Sequence, residues 1–145
     1  MPGHIDPTKE RFALFREMDR PGPVHMLNLI RLRPVAAYED GTQATGAEAY
    51  AAYGRDSTPV LRDLGGRIVW AGQPELMLIG PADEAWDIAF IAEYPSVAAF
   101  VGMLRDPEYR KAVRHRQAAV ADSRLIRMRP GVPGVGFGDM TLVEG

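Results

Sequence analysis

The chain has no cysteine, only three histidines and two tryptophans in 145 residues, and no excess of either charge, with 17 Lys+Arg against 19 Asp+Glu. The missing cysteine excludes disulfides, thiolate nucleophiles, iron–sulfur clusters of the usual kind and cysteine zinc sites, and points to a reducing compartment. A formal net charge of -2 argues against a nucleic-acid coat or a disordered polyelectrolyte. No apolar run approaches the roughly 20 residues that a membrane-spanning helix needs. The opening MPGHIDPTKER lacks the basic region and apolar core of a signal peptide. A cytoplasmic protein is expected, with neither membrane nor nucleic acid among its partners. The 46% apolar and 25% charged composition is that of a soluble globule, and the length suits one domain, since chains divide beyond roughly 250 residues.

Local signals divide the chain into elements. Asp6-Pro7 predicts a helix to Met18, with Asp at the cap and Pro at the first helical position, where its missing N–H costs nothing. Arg20-Pro21-Gly22-Pro23 breaks that helix and launches VHMLNLIRLR, a strand from Val24 to about Arg33 that is apolar on both faces and therefore central. Thr45 and Glu48 have the spacing of a capping box and open a helix from Gly46 to Leu64, which Gly65-Gly66 terminates. The run RIVWAGQPELMLIG predicts two strand pieces, Arg67 to Gly72 and Glu75 to Ile79. Trp86 to Glu93 is a further strand. Ser96 caps the next helix, Asp106-Pro107 restarts it with Tyr109, Ala112, Val113, Arg116 and Val120 along one face, and Ser123 to Arg129 is the last strand.

Setting aside the first helix and the optional hairpin leaves βαββαβ. The expected fold class is α+β, a ferredoxin-like split βαβ arrangement with an antiparallel sheet and both main helices on one face. Residues 1–20 form an N-terminal helical extension, 21–130 the domain, and 131–145 a Gly/Pro-rich C-terminal arm suited to clasping a partner. The uncovered sheet face draws on Val24, Met26, Ile30, Trp70, Ile88 and Phe90, which parity alone does not assign to a side. Burial of apolar surface at roughly 25 cal/mol per Å² favours a homodimer closing sheet on sheet.

The strand His25-Met26-Leu27-Asn28-Leu29-Ile30, Ala37-Tyr38, the helix with Gly46, Ala49-Tyr50 and Tyr53, and Gly65-Gly66 form an ordered series of matches. It continues through Trp70-Ala71-Gly72, Trp86-Asp87, Tyr94-Pro95-Ser96 with Phe100, Asp106-Pro107-Glu108-Tyr109, Arg116 and Asp122-Ser123. In this order and spacing, over about residues 21 to 130, the chain resembles an uncharacterised domain-of-unknown-function family of small ferredoxin-like proteins in the dimeric α/β-barrel superfamily. The resemblance implies a dimer whose sheets meet in a barrel-like body, with a pocket between sheet and helices or beside the interface. It implies no single reaction, since the wider superfamily spans cofactor-free monooxygenases, haem-degrading enzymes and stress-response proteins. The N-terminal extension and the glycine-rich arm depart from the usual member.

Asn28 places an amide inside an apolar strand, where an unsatisfied group costs about 1–3 kcal/mol. It bonds to backbone or water, or it orients an oxygen of a small ligand. His25, three residues earlier, falls on the opposite face; its ordinary pKa near 6.5 suits a proton carrier as well as an interface residue. Arg116 needs an anion, either Asp87, Glu93 or Asp122 or a ligand carboxylate gripped by its planar fork. Tyr50 and Tyr53 cannot both point squarely at one place on an ideal helix, but either is a candidate to line a cavity, as is Tyr94, and Asp87 is the second candidate acid–base group. His115 is expected on a wet helical face and His4 in a mobile segment. These histidines form no metal site or haem signature, and the glycines from 131 to 138 precede no helix or lysine of a phosphate loop. No cofactor is expected.

Two functions follow as expectations. One is a homodimeric small-molecule-binding protein, acting, if an enzyme, without cofactor on a small polar-aromatic or carboxylic metabolite: His25 and Asp87 would be its catalytic candidates, and Asn28, Tyr50, Tyr53, Tyr94 and Arg116 its ligand contacts. The alternative is a non-catalytic structural or regulatory dimer whose polar groups satisfy one another.

Overall fold

A computed structural model describes residues 3–139 of the chain. Four strands, β1 (Val24–Leu32), β2 (Arg67–Gly72), β3 (Ile88–Tyr94) and β4 (Val120–Met128), form one antiparallel sheet in the order β2-β3-β1-β4. Four helices accompany it: α1 (Lys9–Glu17), α2 (Gly46–Asp63), α3 (Val97–Arg105) and α4 (Pro107–Ala119). This is the βαββαβ ferredoxin-like arrangement with one added N-terminal helix, and β1 lies inside the sheet as its two-sided apolarity requires.

The predicted caps form the helix starts, with one exception. Thr45 and Glu48 make both halves of the capping box, the Glu48 N–H donating to Thr45 Oγ1 at 3.0 Å and the Thr45 N–H to Glu48 Oε1 at 2.9 Å. Ser96 caps α3, and Asp106 caps α4 with Pro107 in the first turn. In α1 the cap is Thr8 rather than Asp6, because Thr8 Oγ1 accepts the Arg11 N–H while Asp6 turns toward α4.

Alternation along β1 decides the two faces. Val24, Met26 and Ile30 are buried against the helices, and their cross-strand partners Tyr94, Ala92 and Ile88 share that side. The opposite side carries Leu27 and Leu29 of β1, Ile91 of β3, Trp70 of β2, and Ile126 and Met128 of β4. Of the six residues considered for the open face, only Trp70 is there.

No strand forms at Glu75–Ile79. Pro74 removes a backbone donor from the turn that would start a hairpin, and Leu76, Leu78 and Ile79 remain 78%, 83% and 91% exposed. β3 begins at Ile88, so Trp86 belongs to the preceding loop, where the guanidinium groups of Arg31 and Arg124 lie 5.7 and 5.0 Å from its ring. β4 follows α4 without a linker, starting at Val120 instead of Ser123.

Candidate functional site

The helix-side core divides into two apolar clusters. One gathers Val24, Met26, Ala92, Tyr94, Val97, Phe100 and Tyr109; the other gathers Ile30, Ala49, Ala118, Ala119 and Val120. Phe90 packs against both, and polar side chains collect along the seam between them. Asn28 stands opposite Phe90 in the sheet, on the inward side. Tyr50 and Tyr53 come from one face of α2, their ring centroids 5.4 Å apart, so a three-residue helical spacing brings both phenols into the seam. The Tyr53 and Tyr109 hydroxyls are 2.9 Å apart, and the Tyr94 hydroxyl donates to Met103 Sδ at 3.4 Å.

The phenols of Tyr50, Tyr94 and Tyr109 are held protonated. Burial raises the pKa of each, nearby tyrosines add to the rise, and the Arg116 guanidinium opposes it at Tyr50 and Tyr109. Two polar atoms in this seam have no protein partner among the described residues. Asn28 donates through Nδ2 to the Met26 carbonyl at 3.0 Å but its Oδ1 accepts no protein bond, and the Tyr50 hydroxyl makes none. Neither atom is sealed away from solvent: the one sealed and unsatisfied side-chain atom among the described residues is Arg33 Nε. Asn28, Tyr50, Tyr53 and Phe90 all keep partial exposure although they lie between sheet and helices.

Arg116 projects from α4 beside this cluster, 9% exposed. Its anion is none of the three predicted carboxylates. Nη1 donates to the Ile5 carbonyl and lies 3.8 Å from Asp6 Oδ1, and Nη2 donates to Ser123 Oγ at 3.3 Å. Ser123 Oγ in turn donates to the His4 carbonyl at 2.6 Å, and the His4 N–H donates to Asp122 Oδ1 at 2.8 Å. The segment expected to be mobile is therefore pinned to β4, and a contact spanning 111 residues of sequence was beyond the reach of local pattern.

His25 and Asp87 lie elsewhere. His25 faces the open side, where Nε2 is 2.8 Å from Glu93 Oε2, and Arg67 Nε donates to Glu93 Oε1 at 3.1 Å. These three residues form a cross-strand polar row over β1, β3 and β2. The His25 bond holds the Glu93 pKa below its ordinary value, against burial, with Arg67 adding to the effect. Asp87 Oδ2 accepts the Leu32 N–H at 2.7 Å and closes the end of β1 where the register shifts. The sheet thus separates His25 from Asn28, as the strand parity predicts.

His115 is drawn out of the expected wet face. Its Nδ1 is 2.6 Å from the Tyr38 hydroxyl, its Nε2 is 3.5 Å from Asp56 Oδ2, and its side chain is 12% exposed. Burial and the neighbouring Arg114 hold its pKa below the ordinary histidine value, against Asp56. Tyr109 is the seam residue that site reasoning passed over; it is seven positions before Arg116 on the same helical face, a spacing that carried the signal.

The fold defines the class: a ferredoxin-like α+β protein, with Tyr50, Tyr53, Tyr109 and the Arg116 guanidinium gathered between its helices and one face of its sheet. The chain belongs to the family described as domain of unknown function DUF1330, whose model matches residues 41–128. Two crystal structures of a Rhodopseudomonas palustris protein of unknown function, one of them of its methylated form, are 73% identical to it. They superpose with TM-scores of 0.89 and 0.87, covering 93% and 90% of this chain and 100% and 99% of theirs. A Bacteroides thetaiotaomicron protein named after the antibiotic biosynthesis monooxygenases shares the fold at 18% identity, with a TM-score of 0.50 over 81% of this chain and 96% of its own. No curated protein matches. Among the described residues no helix is long and apolar enough to cross a membrane, and no group of three or more His, Asp or Glu is placed to hold a metal ion.

Proposed function

We propose that this chain is a homodimeric small-molecule-binding protein whose ligand, a small polar-aromatic or carboxylic molecule, occupies the seam between the two core clusters. One observation supports the reading: among the described residues Asn28 Oδ1 and the Tyr50 hydroxyl, both from the layer between sheet and helices, have no protein partner. Both atoms keep access to solvent, so a ligand that donates to the amide oxygen and bonds to the phenol would find two free groups to engage. Phe90 and the tyrosine rings supply faces for an aromatic group, and Arg116 is the cation at the rim.

The arrangement favours binding over acid–base turnover. The phenols of Tyr50, Tyr94 and Tyr109 stay protonated, and the two candidate proton carriers, His25 and Asp87, are engaged on the far side of the sheet and at the end of β1. The dimer rests on the open face, whose apolar row includes Trp70 at 52% and Ile126 at 47% exposure, a surface that sheet-on-sheet contact would remove from water.

The test is a titration of wild-type and Tyr50→Phe protein with a panel of phenols and aryl carboxylates, followed by calorimetry. Tyr50→Phe deletes one oxygen and leaves the ring packing intact. A hydrogen bond lost from a buried site costs roughly 1–2 kcal/mol, a weakening of about tenfold. Equal affinity of both proteins for every binder would remove the Tyr50 hydroxyl from the site.

A further inference from the structure

We propose that the N-terminal segment 3–8 is a built-in competitor at the seam: Asp6 and the Ile5 carbonyl occupy the guanidinium of Arg116 that a ligand carboxylate would take, so an anionic ligand binds by displacing them. The proposal rests on the seam being the ligand site, and it adds how that site is regulated.

The geometry makes the segment a strap. One end is held at Ser123 and Asp122 through His4, and at Arg116 and Gln117 through Ile5 and Asp6, the Gln117 amide donating to Asp6 Oδ2 at 3.3 Å. The other end is α1, whose Phe15 carbonyl accepts from Arg127 Nη1 at 3.1 Å and whose Phe15 ring lies 4.8 Å from Phe100. Ser123, Leu125 and Arg127 alternate along the helix side of β4, so the two anchors flank Leu125, the strand neighbour of Asn28. Leu125 is 41% exposed, so the helix layer leaves β4 uncovered beside the seam.

Chemistry at Arg116 favours exchange. A carboxylate and a main-chain carbonyl on one guanidinium present the same acceptor oxygens that a bidentate ligand carboxylate presents, and the latter suits the planar fork better than a carboxylate at 3.8 Å. Asp6 is half exposed, so its hold is weak. Gly3 fixes the start of the strap by close approach: a Cβ there would sit 1.8 Å from the Ala121 carbonyl oxygen, and any side chain forces the segment away from β4. If strap and ligand carboxylate exclude each other, the apparent affinity for an anion scales with the fraction of molecules whose strap is released, while a neutral ligand that does not need Arg116 is indifferent to it.

Benzoate and its neutral counterpart benzamide separate the two cases. Dissociation constants for both are measured by calorimetry on the full-length wild type, Asp6→Ala and Gly3→Ala proteins, with hydrogen exchange of the 3–8 segment followed in the wild type. The expected result is at least threefold tighter benzoate binding in both variants, benzamide binding unchanged within twofold, and faster exchange of the strap on benzoate addition only. Because Gly3→Ala leaves Asp6 in place, agreement of the two variants excludes a direct effect of the lost charge. If benzamide and benzoate bind but neither variant gains for benzoate, the strap proposal fails and the seam stands. If neither probe binds any of the proteins, the seam reading falls and takes the strap with it.

Discussion

Trp70 and Ile68 lie two residues apart in β2 and are almost equally exposed, at 52% and 48%, yet they straddle a register shift that places Trp70 beside Ile91 on the open face and Ile68 beside Ala92 on the helix side. If the open face is a dimer interface, only one of them matters to assembly. A tryptophan presents roughly 200 Å², so Trp70 leaves about 100 Å² in water, worth about 2.5 kcal/mol at ~25 cal/mol per Å². A two-fold interface contains the residue twice, which gives an upper figure of about 5 kcal/mol for Trp70→Ala, reduced by the ordering that association demands. The expected weakening is therefore about 100-fold in the dimer constant, below the ceiling of roughly 4,000-fold that the upper figure sets, since each ~1.4 kcal/mol is a factor of ten. Sedimentation velocity over a concentration series reads it directly, with Ile68→Ala as the internal control of equal exposure and opposite face. A Trp70→Ala protein that dimerises as tightly as the Ile68→Ala and wild-type proteins would refute the assignment of the open face.

Two further outcomes test the core and the polar row. Ile30 is completely buried, so Ile30→Ala should lower unfolding stability by about 2–5 kcal/mol, seen in urea at fixed protein concentration as a lower midpoint with unchanged slope; a loss below about 1 kcal/mol would mean that the site collapses around the cavity. The folded-state pKa of Glu93 is depressed below 4.5, so its contribution is present above the ordinary glutamate range and disappears as pH falls through the depressed value. Glu93→Gln should accordingly cost stability near neutral pH and lose that deficit on acidification toward pH ~3; a deficit that grows on acidification would reverse the sign of the argument.

Local chemistry carried most of what was legible in the sequence. Thr45 with Glu48, Ser96 and Asp106-Pro107 satisfy helix amides within three residues of themselves, so their geometry is written in adjacent positions. The placement of β1 inside the sheet followed from apolarity on both faces. Glu75–Ile79 misled because a run of apolar residues looks the same whether or not a neighbouring strand accepts it. The site was half legible: Asn28 opposite in face to His25 follows from parity, whereas Tyr50 and Tyr53, expected to point to different places, have ring centroids 5.4 Å apart. The engagement of Arg116 by Ile5 and Asp6, and the meeting of Tyr38 with His115 across 77 residues, depend on how the elements close on one another, which no window of sequence contains.

The strand order has a consequence for how the molecule comes into being. β1 takes its two neighbours from β3, which starts at Ile88, and from β4, which starts at Val120. During synthesis the earliest strand therefore stays unpaired until most of the chain has emerged, and its partner on the β4 side arrives last of all. His4, Ile5 and Asp6 wait with it, since Ser123, Asp122 and Arg116 must be in position before they have anything to hold. Residues that precede every strand are among the last to settle. A ribosome stalled before Val120 would present an apolar strand and a detached 3–8 segment together, so exposure to chaperones and proteases lasts until β4 has emerged.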